Sequence, residues 1–323
     1  MKPRHVFRLL ALLCTAAAMP APAQIFPSKP VRFVVPFAPG GQSDVVARTV
    51  GQKLGERWGL PVVVENKAGA ATTIGADFVA KAPADGYTIL LAPAPFVITQ
   101  YAYPKLPYDS RRDFTPVTLM VTNPLVVAVN PARVAAKTFT EFVALARKDP
   151  GKLAYGTPGN GSLPHLAVEL FRLQSGIDTL HVPYKGGGPA VLDLVAGQIA
   201  FMFASPLEVM PNVKAGKLAV LGVTSDQRVS YWPEVPTLKE SGYKEYEAYA
   251  WFGVVAPAAT PKDIVARLNA DIVAVLKSPE VAERLAAQGA DVAATTAEEF
   301  GRFLAAEHAR WSAAVKAANV TVQ

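Results

Sequence analysis

Short apolar runs of strand length recur along this chain, separated by stretches whose apolar residues repeat with helical spacing. The runs are rich in β-branched residues and predict strands at Val31–Phe37, Val62–Glu65, Thr88–Ala92, Leu125–Val129, Leu153–Gly156, Ala200–Phe203, Ala219–Val223 and Trp251–Ala256. Strands that alternate with helices are typical of α/β folds with largely parallel sheets.

Helix start signals support the alternation. Thr138 with Glu141 and Thr296 with Glu299 each have the spacing of a capping box, in which the two residues bond each other's backbone N–H groups. Ser278-Pro279 predicts a further helix start. Helices therefore follow several of the predicted strands.

The strands and helices divide into two predicted lobes. Residues 24–128 together with 251–323 are expected to form one lobe, and residues 129–250 the other. The chain then crosses twice between the lobes, which is the connectivity of a hinged clamshell. Ligands of open α/β sheets bind beyond the carboxyl ends of the strands, so a cleft between the lobes is expected.

The first 23 residues have the pattern of a secretory signal peptide. Met1–Arg8 carries three positive charges, Val6–Ala18 is almost wholly apolar, and residues 21–23 form a small-x-small cleavage signal. Cleavage near Ala23/Gln24 predicts export across the inner membrane to the periplasm. The only cysteine, Cys14, leaves with this segment, and an exported protein without disulfides fits the bacterial periplasm.

Composition narrows the class of protein. Hydrophobic residues make up 51% of the chain and charged residues 18%, which is enough to bury a sizeable core. The formal charge of +6 falls to +3 when the leader with Lys2, Arg4 and Arg8 leaves, and the remainder is spread along the chain without basic runs, so nucleic acid is not an expected partner. No run after the leader predicts a membrane helix.

Five turns that follow strands and open helices are rich in glycine or hydroxyl residues. They are 38–43, 69–73, 155–162, 183–189 and 202–206. Such turns present unpaired backbone N–H groups at a helix N-terminus, which binds anions well. Lys185 is the nearby candidate cation and is interpreted as a solvated loop lysine. Asp44 is expected to complement the helix dipole rather than to touch a ligand.

Ser162 has two possible roles, that of a catalytic nucleophile and that of a helix cap. Ser162 and His165 lie three residues apart, and Asp178 or Asp193 could orient a histidine. However, Ser162 is well placed to cap a helix, which engages its oxygen, and no G-x-S-x-G turn occurs. His165 is interpreted as a partly buried structural residue, and His308 is expected on an exposed helix face.

Metal and nucleotide sites have no support in the sequence. After the leader the chain has three histidines without short spacing and no cysteine, so no metal site is expected. Neither phosphate-binding glycine motif, G-x-x-x-x-G-K-[ST] or G-x-G-x-x-G, occurs. No cofactor is expected. Tyr184 and Phe96 are possible pocket walls or plain core residues.

Five long stretches give the chain a family resemblance: 27–48, 62–92, 155–171, 181–203 and 233–261. They include VRFVVPFAPGGQSDVVAR, YGTPGNGSLPHLAVELF and HVPYKGGGPAVLDLVAGQIAFMF. In sequence and order they resemble the Bug-type, TctC-like substrate-binding proteins of tripartite tricarboxylate transporters.

The resemblance implies an α/β, two-lobed periplasmic binding fold of the Venus-flytrap, type II-like kind. Two mixed sheets flanked by helices would enclose a ligand cleft between the lobes. By motif match, the ligand-binding positions are Ala38, Gly41, Gln42, Ser43, Thr72, Thr73, Thr157, Asn160, Gly161, Ser162, Tyr184, Ala204 and Ser205. Gln42 stands where the family commonly has a small hydroxyl residue.

The resemblance therefore predicts a monomeric, non-enzymatic solute-binding protein. Its expected ligand is a small organic carboxylate (an amino acid, a di- or tricarboxylate, or an aromatic acid) and its expected partners are inner-membrane permease subunits. Two alternatives stay open: a ligand-sensing partner of a membrane sensor kinase, and a periplasmic serine hydrolase acting through Ser162 and His165.

Overall fold

A computed structural model of the chain describes residues 26–184, 186–229, 231–287 and 289–317. The predicted signal peptide and Lys185 lie outside these ranges. The strands are β1 Val31–Val35, β2 Val62–Asn66, β3 Thr88–Pro93, β4 Phe114–Pro124, β5 Val126–Val129, β6 Ala154–Thr157, β7 Leu180–Pro183, β8 Phe201–Ala204, β9 Ala219–Val223, β10 Tyr249–Pro257 and β11 Asp291–Val292.

Helices connect most of these strands. They are α1 Gln42–Trp58, α2 Thr73–Ala80, α3 Ala94–Ala102, α4 Phe139–Lys148, α5 Leu163–Ser175, α6 Gly187–Val195, α7 Pro206–Lys214, α8 Lys262–Leu276, α9 Pro279–Ala286 and α10 Ala297–Ala317. A 3₁₀ turn, Ala70–Thr72, precedes α2. None of the helices in the described ranges combines the length and the apolar character that crossing a bilayer requires.

The strands form two mixed sheets. The six-stranded sheet has the order β11-β4-β10-β3-β1-β2, and the five-stranded sheet has the order β7-β6-β8-β5-β9. In the first, β1 is parallel to β2 and β3, whereas β10 is antiparallel to β3 and β4. In the second, β6 is parallel to β7 and β8, whereas β5 is antiparallel to β8 and β9. The predicted fold class is confirmed.

The chain changes sheets twice. Strand β4 ends at Pro124 in the six-stranded sheet, and β5 begins at Val126 in the five-stranded sheet. The return runs through residues 224–248 between β9 and β10. Strand β5 thus belongs to the five-stranded sheet, and the division into lobes at residues 128 and 250 stays a prediction.

Three apolar cores follow from the alternation of side chains along the strands. In β1, Phe33 packs with α1 and α8 on one face of its sheet, while Val34 belongs to the opposite face. In β5, Val127 faces the same central core as Val34, and Val126 faces a third core with α6 and α7. The central core therefore runs from one sheet to the other.

The predicted helix starts occur where expected. The Thr138 hydroxyl accepts the Glu141 N–H of α4 at 3.2 Å. In α10, Thr296 N–H donates to Glu299 Oε2 at 2.8 Å while Glu299 N–H donates to Thr296 Oγ1 at 3.2 Å, which completes a reciprocal capping box.

Candidate functional site

Two adjoining cavities lie between the sheets, with volumes of about 570 and 340 Å³. The larger is formed by the β1–α1 turn (37–43), the β3–α3 turn (93–95), the starts of α5 and α7, and residues 250–252 of β10. The smaller is formed by residues 71–72, α3 and the β6–α5 turn (158–163). They share four wall residues, Phe37, Pro95, Pro158 and Leu163, and together form a continuous cleft.

Four helices start at the larger cavity, so their N-termini point unpaired N–H groups and partial positive charge towards it. They are α1, α3, α5 and α7. Of these only α5 has a side-chain cap, in which Ser162 Oγ accepts the His165 N–H. Among the described residues that line either cavity there is no lysine, arginine or histidine. The cleft therefore suits an anion held by neutral donors.

Asp44 fixes the shape of the β1–α1 turn. Its carboxylate accepts hydrogen bonds from the Gly40 N–H (3.0 Å), Arg48 Nε (2.9 Å) and Asn66 Nδ2 (2.9 Å). Asn66 also donates to the Phe37 carbonyl at 3.0 Å. These bonds, that to Arg48 above all, lower the pKa of Asp44 to about 2. Asp44 thus has the structural role predicted for it, and it also holds the turn that lines the cleft.

The substitution Asp44→Asn is expected to lower the free energy of unfolding at pH 7 by about 2 kcal/mol, because bonds to a charged acceptor are lost. Asp44 contributes stability above its unfolded pKa near 3.8 and loses it as the pH falls through 2. Urea denaturation of both proteins should therefore show the difference shrinking below pH 4. Asp263→Asn, an exposed first-turn acid of α8, is the control and should cost a few tenths of a kcal/mol. Equal losses in the two variants would contradict the role of Asp44 in the turn.

The turn before α2 has an unusual backbone. Its φ values are 45° at Ala70, 48° at Ala71 and 85° at Thr72. These values lie in the left-handed region, which residues other than glycine rarely adopt. Thr72 is buried and lines the smaller cavity. The hydroxyls of Thr72 and Thr73 lie close enough to the Tyr108 hydroxyl to influence its pKa, but neither has a hydrogen bond of good geometry within the described chain. Strain and unpaired hydroxyls of this kind are common at ligand sites.

The β6–α5 turn is supported from below by two histidines. The rings of His165 and His181 stack with centroids 4.0 Å apart, and Tyr155 stacks on the other face of His181. His165 Nδ1 accepts the Gly161 N–H at 3.1 Å, and His181 Nε2 lies 2.7 Å from Thr157 Oγ1. Burial lowers the pKa of both histidines, for His181 to about 4. Neutral imidazoles therefore hold this turn in place.

A serine–histidine pair for hydrolysis does not assemble. Ser162 Oγ donates to the Gly159 carbonyl at 2.7 Å and accepts the backbone N–H of His165, while the His165 ring bonds Gly161 instead. The two aspartates considered as orienting groups are also engaged elsewhere: Asp178 pairs with Arg172 and Asp193 accepts from Tyr184. Ser162 is a helix cap, as predicted.

Nine of the thirteen predicted ligand-binding residues line the cleft. Those in the larger cavity are Ala38, Gly41, Gln42, Ser43 and Ser205, and those in the smaller are Thr72, Asn160, Gly161 and Ser162. The side-chain amide of Gln42 is hydrogen bonded to that of Asn123 in β4.

The other four predicted residues lie behind or beside the lining. Thr157 and Ala204 are buried, and the Thr157 hydroxyl is engaged with His181. Thr73 follows the strained turn, and the Tyr184 hydroxyl donates to Asp193 Oδ2 at 2.7 Å. Contact between these four residues and a ligand stays a prediction.

Sequence reasoning missed several wall residues. The β3–α3 turn, Pro93 to Pro95, also leads from a strand into a helix, but it contains neither the glycine nor the hydroxyl residue that marked the other turns. Trp251 reaches the cleft only because β10 pairs with β3. Glu208 has capping-box spacing from Ser205, which is a helix signal rather than a site signal. Phe96, a possible wall, is a core residue that stacks on Tyr108.

His308 was expected on an exposed face, and this was wrong. It is 8% exposed because α10 packs against α3, where its Nδ1 lies 3.1 Å from the Tyr101 hydroxyl. In the described part of the chain, no three histidine, cysteine, aspartate or glutamate side chains gather as a metal site would require.

A further cavity of about 780 Å³ lies elsewhere and is lined by both basic and acidic side chains. Lys29 pairs with Asp85 at 3.2 Å and Lys81 with Asp77 at 2.7 Å. Arg32 and Lys67 both pair with Glu65, so each basic side chain of the lining has an acidic partner, and of the described helices only α2 lines this cavity. The cleft between the sheets is the better candidate.

The sequence profile of the tripartite tricarboxylate transporter family receptor, TctC, matches residues 46–320. The chain belongs to the TctC family. This confirms the predicted membership in a family of periplasmic solute-binding proteins.

Relatives within the family match over almost the whole chain. A UPF0065 protein from the tcbD-tcbE intergenic region of Pseudomonas sp. (strain P51) is 41% identical over 95% of this chain and 92% of its own. Protein BugT of Bordetella pertussis is 39% identical over 97% of this chain and 98% of its own.

Solved structures of similar proteins share the fold. A TctC solute-binding protein from Polaromonas, without ligand, has a TM-score of 0.83 and 29% identity over 90% of this chain and 99% of its own. R. palustris Rpa4515 with adipate has a TM-score of 0.73 and 34% identity over 92% of this chain and 99% of its own. MatC from Rhodopseudomonas palustris with bound malate has a TM-score of 0.70 and 32% identity over 90% and 100%. Members of this fold family thus bind carboxylates.

Proposed function

We propose that this chain captures a small organic carboxylate in the periplasm and delivers it to the inner-membrane permease of a tripartite tricarboxylate transporter. The observation that carries the proposal is the convergence of four helix N-termini on a cleft whose described walls carry no cation. Adipate and malate in similar proteins support the same ligand class.

The cleft offers the ligand two different environments. The larger cavity has mainly apolar walls, among them Phe37, Leu125, Trp251 and Phe252. The smaller is lined by the polar residues Thr72, Asn160 and Ser162 and by Gly161. We propose that the carboxylate binds where the N-termini of α3 and α5 adjoin the polar groups of the smaller cavity, and that the apolar body of the ligand extends into the larger cavity. The protein then acts as a carrier without catalysis, after cleavage of residues 1–23.

Replacing the carboxylate by its neutral amide is expected to weaken binding at least tenfold, because charge-assisted hydrogen bonds to the donors are lost. Native mass spectrometry of the protein as purified from periplasm should identify a retained acid. Calorimetric titration with that acid and its primary amide then gives the ratio. Amides that bind as tightly as acids would contradict the proposal.

Two glycine variants control for the location. A side chain at Gly41 meets open space and lies in the cleft wall, so Gly41→Phe should reduce affinity at least tenfold without backbone strain. Gly188 also has open space and an unstrained backbone but lines neither cavity, so Gly188→Phe should bind normally. Equal losses in both variants would place the ligand elsewhere.

A further inference from the structure

Glu208 is the only charged side chain among the described residues that line the two cavities. It lies in the first turn of α7, three residues after Ser205. Its carboxylate lies near the Ser205 backbone N–H, which partly offsets the rise in the carboxyl pKa caused by burial. The first turn of a helix favours an acidic residue, but here that residue places a negative charge in the wall of an anion-binding cleft.

The carboxylate of Glu208 rests on a glycine. A Cβ at Gly187, the first residue of α6, would lie only 2.6 Å from Glu208 Cδ. The missing side chain at 187 therefore makes room for the carboxylate between the N-termini of α6 and α7. Glu208 complements the positive ends of both helices, as a bound anion would.

The rest of the cleft lacks such an internal anion. Its described lining has no other carboxylate, and Asp44 already complements the start of α1 from behind the turn, so the N-termini of α3 and α5 are left to an incoming ligand. Glu208 is exposed to the cleft yet has much protein around it, and burial raises the pKa of its carboxyl. A second negative charge on a ligand that reaches α7 would lie near that of Glu208 in a region of reduced dielectric, which is unfavourable.

We infer that Glu208 is a specificity-determining residue that favours ligands whose far end is neutral or cationic and disfavours ligands with a second carboxylate there. The inference rests on the proposed function and narrows its ligand class to monocarboxylates with an apolar body, ω-amino acids included, in contrast to the dicarboxylates adipate and malate in the similar proteins. A positive ammonium group at the far end would be attracted by the same charge that repels a carboxylate.

Straight-chain acids of four to eight carbons test this directly, as three series: monocarboxylates, ω-amino acids and dicarboxylates. For the length that binds best, wild-type protein should bind the dicarboxylate at least tenfold more weakly than the monocarboxylate. Glu208→Gln should reduce that ratio of affinities at least tenfold and should weaken binding of the ω-amino acid. Glu280→Gln, which removes an exposed first-turn charge of α9 remote from the cleft, should leave the ratio unchanged.

Gly187→Ala tests the position of the carboxylate without changing its charge. The added methyl group displaces the flexible Glu208 side chain from the α6 N-terminus, so the preference against dicarboxylates should increase. Thermal melts check that each variant folds.

Three results would overturn the inference. They are equal binding of dicarboxylates and monocarboxylates by wild-type protein, an equal change of the ratio in Glu208→Gln and Glu280→Gln, and an unchanged ratio in Gly187→Ala. If folded wild-type protein and Glu208→Gln bind no acid of any series or the acid retained on purification, the proposed function fails as well.

Discussion

Replacing Glu307 with alanine is expected to lower the free energy of unfolding by about 3–5 kcal/mol, the usual cost of breaking a buried ion pair. Glu307 in α10 is 1% exposed. Its Oε2 accepts the indole N–H of Trp251 at 2.6 Å and that of Trp311 at 2.8 Å, and its Oε1 pairs with Arg310. Alanine at this position would leave both indole N–H groups without this acceptor. It would also remove one of the two carboxylates that pair with the largely buried Arg310.

The same helix offers a matched control for this prediction. Glu298 pairs with Arg302 in an exposed ion pair, so Glu298→Ala should cost well under 1 kcal/mol. Urea denaturation followed by circular dichroism measures both variants. Because Trp251 also lines the cleft, Glu307→Gln should weaken ligand binding even where the protein remains folded. A loss from Glu307→Ala no larger than that from Glu298→Ala would mean that the buried cluster contributes little.

As the pH falls from 6.5 to 4, protonation of His181 and of His308 is expected to lower the free energy of unfolding by about 1–3 kcal/mol each. Burial lowers the pKa of both rings from 6.5 to about 4. In this window the unfolded chain binds protons that the folded chain does not, so stability is complete above pH 6.5 and falls as the pH decreases. His165 and Arg172 lower the pKa of His181 further, while Glu169 raises it. Arg111 lowers the pKa of His308 further, while Asp109 raises it.

Other groups titrate with the opposite sign, so substitution is needed to isolate the histidines. Burial raises the pKa of Glu208, Asp291 and Glu307, which favours the folded state towards acid pH. His181→Gln and His308→Gln should each flatten the decrease of stability between pH 6.5 and 4.

Ligand affinity distinguishes the two histidines. His181 supports the β6–α5 turn through Thr157, whereas His308 bonds Tyr101 away from the cleft. Only His181→Gln should therefore change the pH dependence of ligand affinity, measured by titration calorimetry. A matching change in His308→Gln would show that global unfolding, not the turn, governs binding in acid.

Much of the fold could be predicted because local pattern and tertiary structure agree. The eight predicted strands are present, and Thr138, Ser162 and Thr296 cap helices as expected. Strand β4 was missed because its run of threonine, proline and asparagine residues lacks a clear period. The antiparallel position of β10 was also missed, since strand order depends on pairing between residues more than a hundred positions apart.

The site was predictable only where the backbone itself supplies the chemistry. The turns that contain Gly41, Ser43 and Gly161 were found because a strand-to-helix turn needs such residues wherever it lies, whereas the individual positions came from the family resemblance. Glu208 and Trp251 were not, because their roles come from neighbours in space: Gly187 for one, Glu307 for the other. His308 was misjudged for the same reason, since the partner helix α3 hides it.

The absence of lysine and arginine from the described walls of the cleft has a consequence for the salt dependence of ligand binding. Attraction between exposed full charges weakens as salt rises, whereas short hydrogen bonds and helix ends inside a cleft are screened much less. A carboxylate held only by such groups would keep nearly the same affinity in dilute and in saline water.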